Sequence, residues 1–218
     1  MCNRIDNSDM SWDEVEEALR AENVGVSEYV YPRASAFDRP KLPIVAEFNG
    51  RILTPAIWTL NQLKENDYPT KGINLQAENS HTYYRKVEHN RCVLPVSGFF
   101  DWQHFMNERG KEDTMLHRMH WDGLRQFYIA CFYSHWDNGD MSFGMVTTEG
   151  NDLMKIVHNK VNKDPKRKNN RMPICLDAKA ADRFLNDEPI ENFTFPGYDP
   201  NLVAENLEPF KKPNTLFG

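Results

Sequence analysis

Tight-turn dipeptides punctuate the middle of the chain and separate short apolar segments. The dipeptides are Asn49-Gly50, Ser97-Gly98, Asp122-Gly123 and Asn138-Gly139. Glycine and asparagine readily adopt the positive φ angles that close β-hairpins, and the segments between these dipeptides are rich in β-branched and aromatic residues. We therefore predict strands at 42–48, 51–58, 92–96, 99–105, 115–121, 126–133 and 142–148. The last three are expected to form a meander.

Apolar residues at helical spacing predict three short helices, at 12–22, 152–158 and 178–185. Ser11 and Glu14 make a capping box before the first helix, and Asp177 is a suitable N-cap for the third. The apolar side of the second helix is expected to consist of Leu153, Ile156 and Val157. Prolines recur from residue 186 onward and predict a tail that wraps the surface. The fold class is α+β, with mainly antiparallel strands and a few peripheral helices in one domain spanning 1–218.

The composition favours a globular protein inside the cell. Of the 218 residues, 40% are hydrophobic and 12% aromatic, which is enough to build a core. No window approaches the roughly 18 consecutive apolar residues of a membrane span, and the first residues lack the apolar region of a secretory signal. We therefore expect a cytoplasmic protein with no membrane partner. The four cysteines are Cys2, Cys92, Cys131 and Cys175. Because none forms a Cys-X-X-Cys pair, we expect free thiols, no zinc site and no cofactor.

The net charge of −6 is unevenly spread along the chain. Residues 1–30 and 177–209 each contain eight acids and two bases, whereas residues 155–171 contain seven bases and one acid. Overall acidity disfavours a nucleic-acid binder, but the basic segment could contact phosphates along a narrow strip. A solvated loop rich in lysine is the alternative interpretation of that segment.

Cys2 directly follows the initiator methionine. Removal of Met1 would leave a residue with both a free α-amine and a thiol, and each is partly nucleophilic at neutral pH. Such a residue reacts with an aldehyde in a way that no internal cysteine can. The amine forms an imine, and the thiolate then closes a five-membered thiazolidine ring. The alternative is a cysteine at the terminus that has no chemical role.

Several short motifs occur along the chain in one order. They are Met1-Cys2-Asn3-Arg4, Asn74 with Ala77-Glu78, Arg91-Cys92 with Leu94-Pro95, Gly98-Phe99-Phe100-Asp101-Trp102, and His158 followed by Arg171-Met172-Pro173 with Leu176. This order resembles the SOS response-associated peptidase (SRAP) family, whose members shield abasic sites in single-stranded DNA by linking them covalently to an N-terminal cysteine. The resemblance implies strongly twisted, barrel-like sheets. It also implies a monomer that meets single-stranded DNA containing abasic sites and is nucleoid-associated when bound.

The resemblance assigns roles to residues of this chain. Cys2 would be the nucleophile, and His158 the acid that opens the closed sugar. Asp101 would shuttle protons during imine formation, and Asn74 would hydrogen-bond the opened sugar or its phosphate. Candidate DNA-binding residues are Arg4, Pro40, Trp58, Gln76, Arg85 and Arg171.

Each role has a structural alternative. His158 could be a surface histidine at a helix end, Asp101 a strand carboxylate facing solvent, and Asn74 a turn residue after Gly72. Trp58 could be a core tryptophan instead of a residue that stacks on a base.

Four departures from the family pattern bear on activity. Asn3 stands where glycine is usual, Gln76 where arginine is typical, and Asp101 where glutamate is usual. The segment between His158 and Arg171 is also longer than in most members. The shorter arm of Asp101 must be met by a backbone shift or a water, because proton transfer needs hydrogen-bond reach. A hypothesis is that the inserted lysines replace the phosphate-binding charge that is missing at Gln76.

Two other functions fit parts of the sequence. One is an N-terminal-nucleophile amidohydrolase, in which Cys2 attacks an amide and its own amine serves as base. The other is a non-catalytic single-stranded nucleic-acid binder that uses the basic segment 155–171. The favoured prediction is an abasic-site processing enzyme with Cys2 as nucleophile, combining peptidase and lyase-type chemistry.

Overall fold

A computed structural model of the chain describes residues 3–27, 30–60, 72–82, 84–136, 138–160 and 170–211. The strands are β1 Arg4–Asp6, β2 Glu22–Asn23, β3 Ala34–Ser35, β4 Lys41–Glu47, β5 Arg51–Trp58, β6 Asn74–Gln76, β7 Arg91–Val96, β8 Gly98–Met106, β9 Glu112–Trp121, β10 Phe127–His135, β11 Met141–Glu149, β12 Arg171–Pro173, β13 Cys175–Leu176 and β14 Leu202–Asn206. The α-helices are α1 Trp12–Leu19, α2 Asp152–Val157 and α3 Ala178–Leu185. Short 3-10 helices occur at Ala36–Asp38, Ala77–Asn79 and Ile190–Phe193.

The larger sheet closes on itself. Its strand order is β12-β11-β10-β7-β4-β5-β2, and β11 also pairs in parallel with β5. Strands β4, β5, β7, β10 and β11 therefore form a ring, which removes the exposed edges that an open sheet would leave. β6 joins this sheet beside β11, and β13 joins it beside β10. The prediction of an α+β fold with barrel-like, mainly antiparallel sheets is confirmed.

The smaller sheet has five strands in the order β14-β9-β8-β1-β3. The chain enters it directly from the larger sheet, because β7 ends at Val96 and β8 begins at Gly98. Ser97 makes the corner, where its backbone N–H donates to the carbonyl oxygen of Asp6 over 2.9 Å. Glycine is required next, since a Cβ at Gly98 would lie 2.9 Å from the carbonyl oxygen of Met119. The Ser97-Gly98 dipeptide thus moves the chain between sheets.

The predicted meander is wrong at one connection. β8 and β9 form a hairpin in the smaller sheet, and β10 and β11 form one in the larger sheet. The strands on either side of Asp122-Gly123 therefore lie in different sheets. Turn residues specify a local reversal of the chain, but the sheet that each strand joins is decided by tertiary packing.

The helices follow their capping residues. Ser11 Oγ accepts a hydrogen bond from the Glu14 amide, and α1 ends three residues before its predicted limit because Arg20 adopts a left-handed conformation with φ 52°. α3 begins and ends as predicted, with Asp177 as its N-cap. The expected apolar side of α2 is wrong in one respect. Met154 and Val157 are its buried residues, whereas Ile156 is 59% exposed.

The segment from residue 186 contributes more than a surface tail. Ile190 and Phe193 are buried in a 3-10 turn that packs against α3. β14 then pairs with β9 and forms one edge of the five-stranded sheet. Within the part of the chain that the structure describes, no helix is long and apolar enough to cross a membrane.

Candidate active site

Asp101 lies on β8 just beyond the point where β1 stops pairing with it. The described register of β1 on β8 ends with Arg4 opposite Phe100. Because side chains alternate along a strand, Asp101 points to the same side as the core residue Phe99 and is 4% exposed. Its Oδ1 accepts a hydrogen bond of 2.8 Å from the backbone N–H of Trp102. The alternative of a solvent-facing carboxylate is thereby excluded.

His158 completes a pair with Asp101. The residue forms the C-cap of α2, and its backbone N–H donates to the carbonyl oxygen of Met154 over 2.7 Å. Its Nδ1 lies 2.8 Å from Asp101 Oδ2, and its side chain is 14% exposed. With Asp101 ionised, Nδ1–H is the donor, so proton exchange with a substrate would use Nε2. A carboxylate that orients an imidazole in this way is a common arrangement for acid–base catalysis.

Arginines and aromatic rings occupy the opposite face of β8. The Arg4 guanidinium lies over the ring of Trp102, 5.1 Å from its centroid. The Arg33 guanidinium lies over the ring of Phe100 at 5.2 Å. Interleaved cations and π-faces are suited to binding phosphates and bases of a single strand. Arg4 thus lies against Trp102 on the face of β8 opposite Asp101, and its binding of DNA stays a prediction.

A second histidine lies on the same face as Asp101. His117 on β9 is the cross-strand neighbour of Asp101, and its Nε2 lies 3.1 Å from the amide oxygen of Gln103. Donation from Nε2–H to that oxygen leaves Nδ1 as an acceptor, and Nδ1 has no hydrogen-bond partner among the described residues. Burial lowers the pKa of His117 below the ordinary 6.5. His117 is therefore held as a neutral imidazole next to the Asp101–His158 pair.

Replacing His117 with glutamine is expected to flatten the acid side of the stability profile. Below pH 6.5 the unfolded His117 takes up a proton before the folded one does, so its contribution to the free energy of unfolding falls as the pH falls. Urea unfolding at pH 7.5 and 5.5 should give a smaller loss for His117→Gln than for the wild type. Equal losses in the two proteins would contradict this account of His117.

The other predicted site residues lie on the larger sheet or close to it. Asn74 begins β6 opposite Met145 of β11, and Gln76, which ends β6, accepts a hydrogen bond of 3.1 Å from Asn79. Pro40 is half-buried, and its carbonyl oxygen accepts from the Trp58 amide over 3.0 Å. Arg85 is exposed.

Two residues predicted to bind DNA are buried. Arg171 is 2% exposed, and its guanidinium makes a two-pronged ion pair with Glu78, at 3.0 and 2.9 Å. A further hydrogen bond joins it to the carbonyl oxygen of Thr147. Trp58 is fully buried and stacks on Phe143. Both side chains therefore make contacts inside the protein, and neither the Arg171 guanidinium nor the Trp58 ring is available to a ligand at the surface.

Cys2 and the inserted basic residues at 161–169 lie outside the described residues. The remaining cysteines, Cys92, Cys131 and Cys175, are buried thiols that are not in disulfide bonds, as predicted. Burial raises the pKa of the Cys92 thiol well above its ordinary value, which leaves it unreactive. No cluster of potential metal ligands occurs in the described ranges.

The sequence matches the family model for SOS response associated peptidases (SRAP) over residues 1–199. The chain belongs to this family. Membership supports a peptidase-like role in the SOS response to DNA damage. A similar fold is seen in solved structures. One is a protein from Bacteroides thetaiotaomicron, with a TM-score of 0.74, 20% identity, and coverage of 98% of this chain and 96% of that one.

Two further structures of similar fold come from Bordetella bronchiseptica. The first has a TM-score of 0.68 at 17% identity and covers 94% of this chain and 99% of its own. The second, a phage-related protein, has a TM-score of 0.67 at 13% identity and covers 94% of each chain. At these identities the likeness concerns the fold alone. No curated protein matches the sequence.

Proposed function

We propose that this SRAP protein captures abasic sites in single-stranded DNA through a thiazolidine link to Cys2, after Met1 has been removed. The observation that carries the proposal is the Asp101–His158 pair, which lies at the edge of β8 where β1 begins. Only Asn3 separates Cys2 from Arg4 in the sequence. Consecutive α-carbons are about 3.8 Å apart, so in any conformation the α-carbon of Cys2 lies within about 8 Å of that of Arg4.

The proposed reaction begins with opening of the sugar. Hydrolysis of the Met1–Cys2 amide first frees the α-amine. In its imidazolium form, His158 donates the Nε2 proton to the ring oxygen of the abasic deoxyribose while a water molecule takes the proton of the C1 hydroxyl. The bond between C1 and the ring oxygen breaks, which leaves an aldehyde at C1 and a hydroxyl at C4. Asp101 holds the imidazole through Nδ1, so the proton is delivered from Nε2.

The aldehyde then reacts with both groups of Cys2. The α-amine adds to the carbonyl carbon, and loss of one water gives an imine. The thiol sulfur bonds to the imine carbon while the thiol proton passes to the nitrogen, which closes the thiazolidine. One water is released in total, and no oxidant or reductant is consumed.

The flanking nucleotides are proposed to lie over the arginine and aromatic face of β8. Arg4 and Arg33 would contact phosphates, and Trp102 would support a base. Phe37 lies in the 3-10 turn after β3 and is 63% exposed. The same turn is held next to the start of β1, because the Ala36 amide donates to the Asn3 carbonyl oxygen. Contact through these few side chains is consistent with weak binding of undamaged strands and with the overall charge of −6.

A direct test uses single-stranded DNA with one abasic site. The wild type should give an adduct that survives heating and migrates as protein–DNA on a denaturing gel, and intact DNA should give none. Cys2→Ala should abolish the adduct, whereas the matched variant Cys175→Ala, which removes a buried thiol, should retain it. The intact mass of the wild type should lack Met1. An adduct that survives Cys2→Ala, or strand binding with no adduct from the wild type, would refute the proposal.

A further inference from the structure

The side chain of Asn159 pairs with the backbone of β8 as a neighbouring strand would. Its Oδ1 accepts from the His104 N–H over 2.7 Å, and its Nδ2 donates to the His104 carbonyl oxygen over 2.8 Å. β1 covers the same edge of β8, but its described pairing reaches only to Phe100. A primary amide has one acceptor and one donor group at the spacing of a peptide unit, so it can satisfy both backbone groups of one residue.

Asn159 and Asp101 cover neighbouring positions of that edge. Alternate residues of a strand direct their backbone groups to the same side, so Trp102 and His104 face the edge that Phe100 presents to β1. Asp101 Oδ1 satisfies the Trp102 N–H, and Asn159 satisfies His104. The segment after α2 is therefore attached to β8 at two places, through His158 at Asp101 and through Asn159 at His104.

The second attachment matters because α2 does not itself fix the imidazole. The helix has six residues, and the backbone of His158 is no longer helical, with φ −90° and ψ 57°. A side chain at such a position depends on contacts beyond the helix for its orientation. Asn159 is the next residue along the chain, and its two hydrogen bonds fix the backbone on the far side of His158.

We propose that Asn159 is a positioning residue that holds His158 on Asp101. The side-chain amide of Asn159 fixes the chain after α2 against His104 of β8. In this position, His158 Nδ1 lies 2.8 Å from Asp101 Oδ2. As far as the reaction is concerned, this inference rests on the proposed function. A loss of about 1 Å in placement is enough to slow a positioned proton transfer by up to about 100-fold.

The placement itself can be tested without DNA. Imidazole ¹⁵N labelling with proton detection should show a hydrogen-bonded Nδ1–H for His158 in the wild type. The signal is assigned by its loss in His158→Ala. Asn159→Ala should lose or broaden the signal, while the control Asn151→Ala should keep it. Asn151 caps the other end of the same helix, accepting from the Met154 amide and donating to Asp199. An unchanged His158 signal in folded Asn159→Ala would overturn the inference, and circular dichroism establishes that each variant is folded.

A double-mutant cycle tests the route of the effect. Asn159→Ala should slow adduct formation about 10- to 100-fold in the wild type and have no further effect in His158→Ala, because a residue that acts through another has no separate contribution. Asn159→Asp keeps the acceptor but places a carboxylate against the His104 carbonyl, so it should lose most of the rate. Equal slowing in both backgrounds would assign Asn159 a general structural role and overturn the inference. Absence of any wild-type adduct would refute the proposed function alone, since the imidazole signal still tests the placement.

Discussion

Replacing His158 with alanine is expected to slow adduct formation at an abasic site by about 100- to 10,000-fold, the usual contribution of a positioned general acid. The imidazole is the proton donor to the sugar ring oxygen in the proposed reaction, and Asp101 holds it at 2.8 Å. Asp101→Asn should also slow the reaction, because an amide NH₂ facing Nδ1 favours the wrong tautomer. The rate is measured under single-turnover conditions, with the protein in excess over the damaged strand.

The control for this prediction is another histidine of the smaller sheet. His120 lies on β9 and is half-buried like His158, and it pairs across to Val203 of β14. His120→Ala should leave the rate within about threefold of the wild type. Affinity for an undamaged strand, measured by fluorescence anisotropy, should be similar in both variants, because the imidazole acts on the sugar of the lesion. A His158→Ala rate as high as that of His120→Ala would remove His158 from the mechanism.

The shorter acid at position 101 reaches its partner directly. The sequence suggested that aspartate in place of glutamate needs a backbone shift or a water to stay within reach. The structure brings the histidine to the aspartate, with Oδ1 held by the Trp102 amide and Oδ2 on Nδ1. The Asn159 attachment is the element that places the histidine there. The departure at position 101 is therefore compatible with a working pair.

Local features of the fold were predictable, while long-range ones were not. Ser11 and Asp177 marked helix starts because capping depends on residues three positions apart. The move between sheets at Ser97 depends on Asp6, 91 residues away in the sequence. Turn dipeptides carry no information about such distant partners. For the same reason, Asp122-Gly123 does not reveal that β9 and β10 lie in different sheets.

The candidate site divides in the same way. Asp101 and His158 were predicted from motifs, and the structure brings them together. Asn159 and His117 were missed. Asn159 acts on the backbone of His104, and His117 is distinguished only by its burial on β9. A cross-strand neighbour of Asp101 can be found only once the β8–β9 register is known. Arg171 was predicted to bind DNA because it is a motif residue beside a basic segment. In the structure it is buried and forms an ion pair with Glu78.

Trp58→Ala is expected to lower the free energy of unfolding by about 3–5 kcal/mol, the usual cost of emptying a large aromatic site in a core. Trp58 is fully buried, and its ring lies 6.1 Å from that of Phe143 at an angle of 11°. Trp58→Phe should cost much less, about 1–2 kcal/mol. It keeps most of the packing and removes an indole N–H that has no hydrogen-bond partner within the described residues. Urea unfolding measures both changes.

The phenylalanine variant also decides between the two interpretations of Trp58. It is expected to fold with stability close to that of the wild type, so its binding to a strand with an abasic site can be compared directly with that of the wild type. If Trp58 is a core residue, the affinity of Trp58→Phe for this strand should be within about twofold of the wild-type affinity, because the surface that meets DNA is unchanged. A stacking residue predicts a loss of about 1–3 kcal/mol for alanine, which is roughly 5- to 150-fold, and a partial loss for phenylalanine. A stable Trp58→Phe protein with affinity reduced tenfold would show that Trp58 leaves the core to meet the strand.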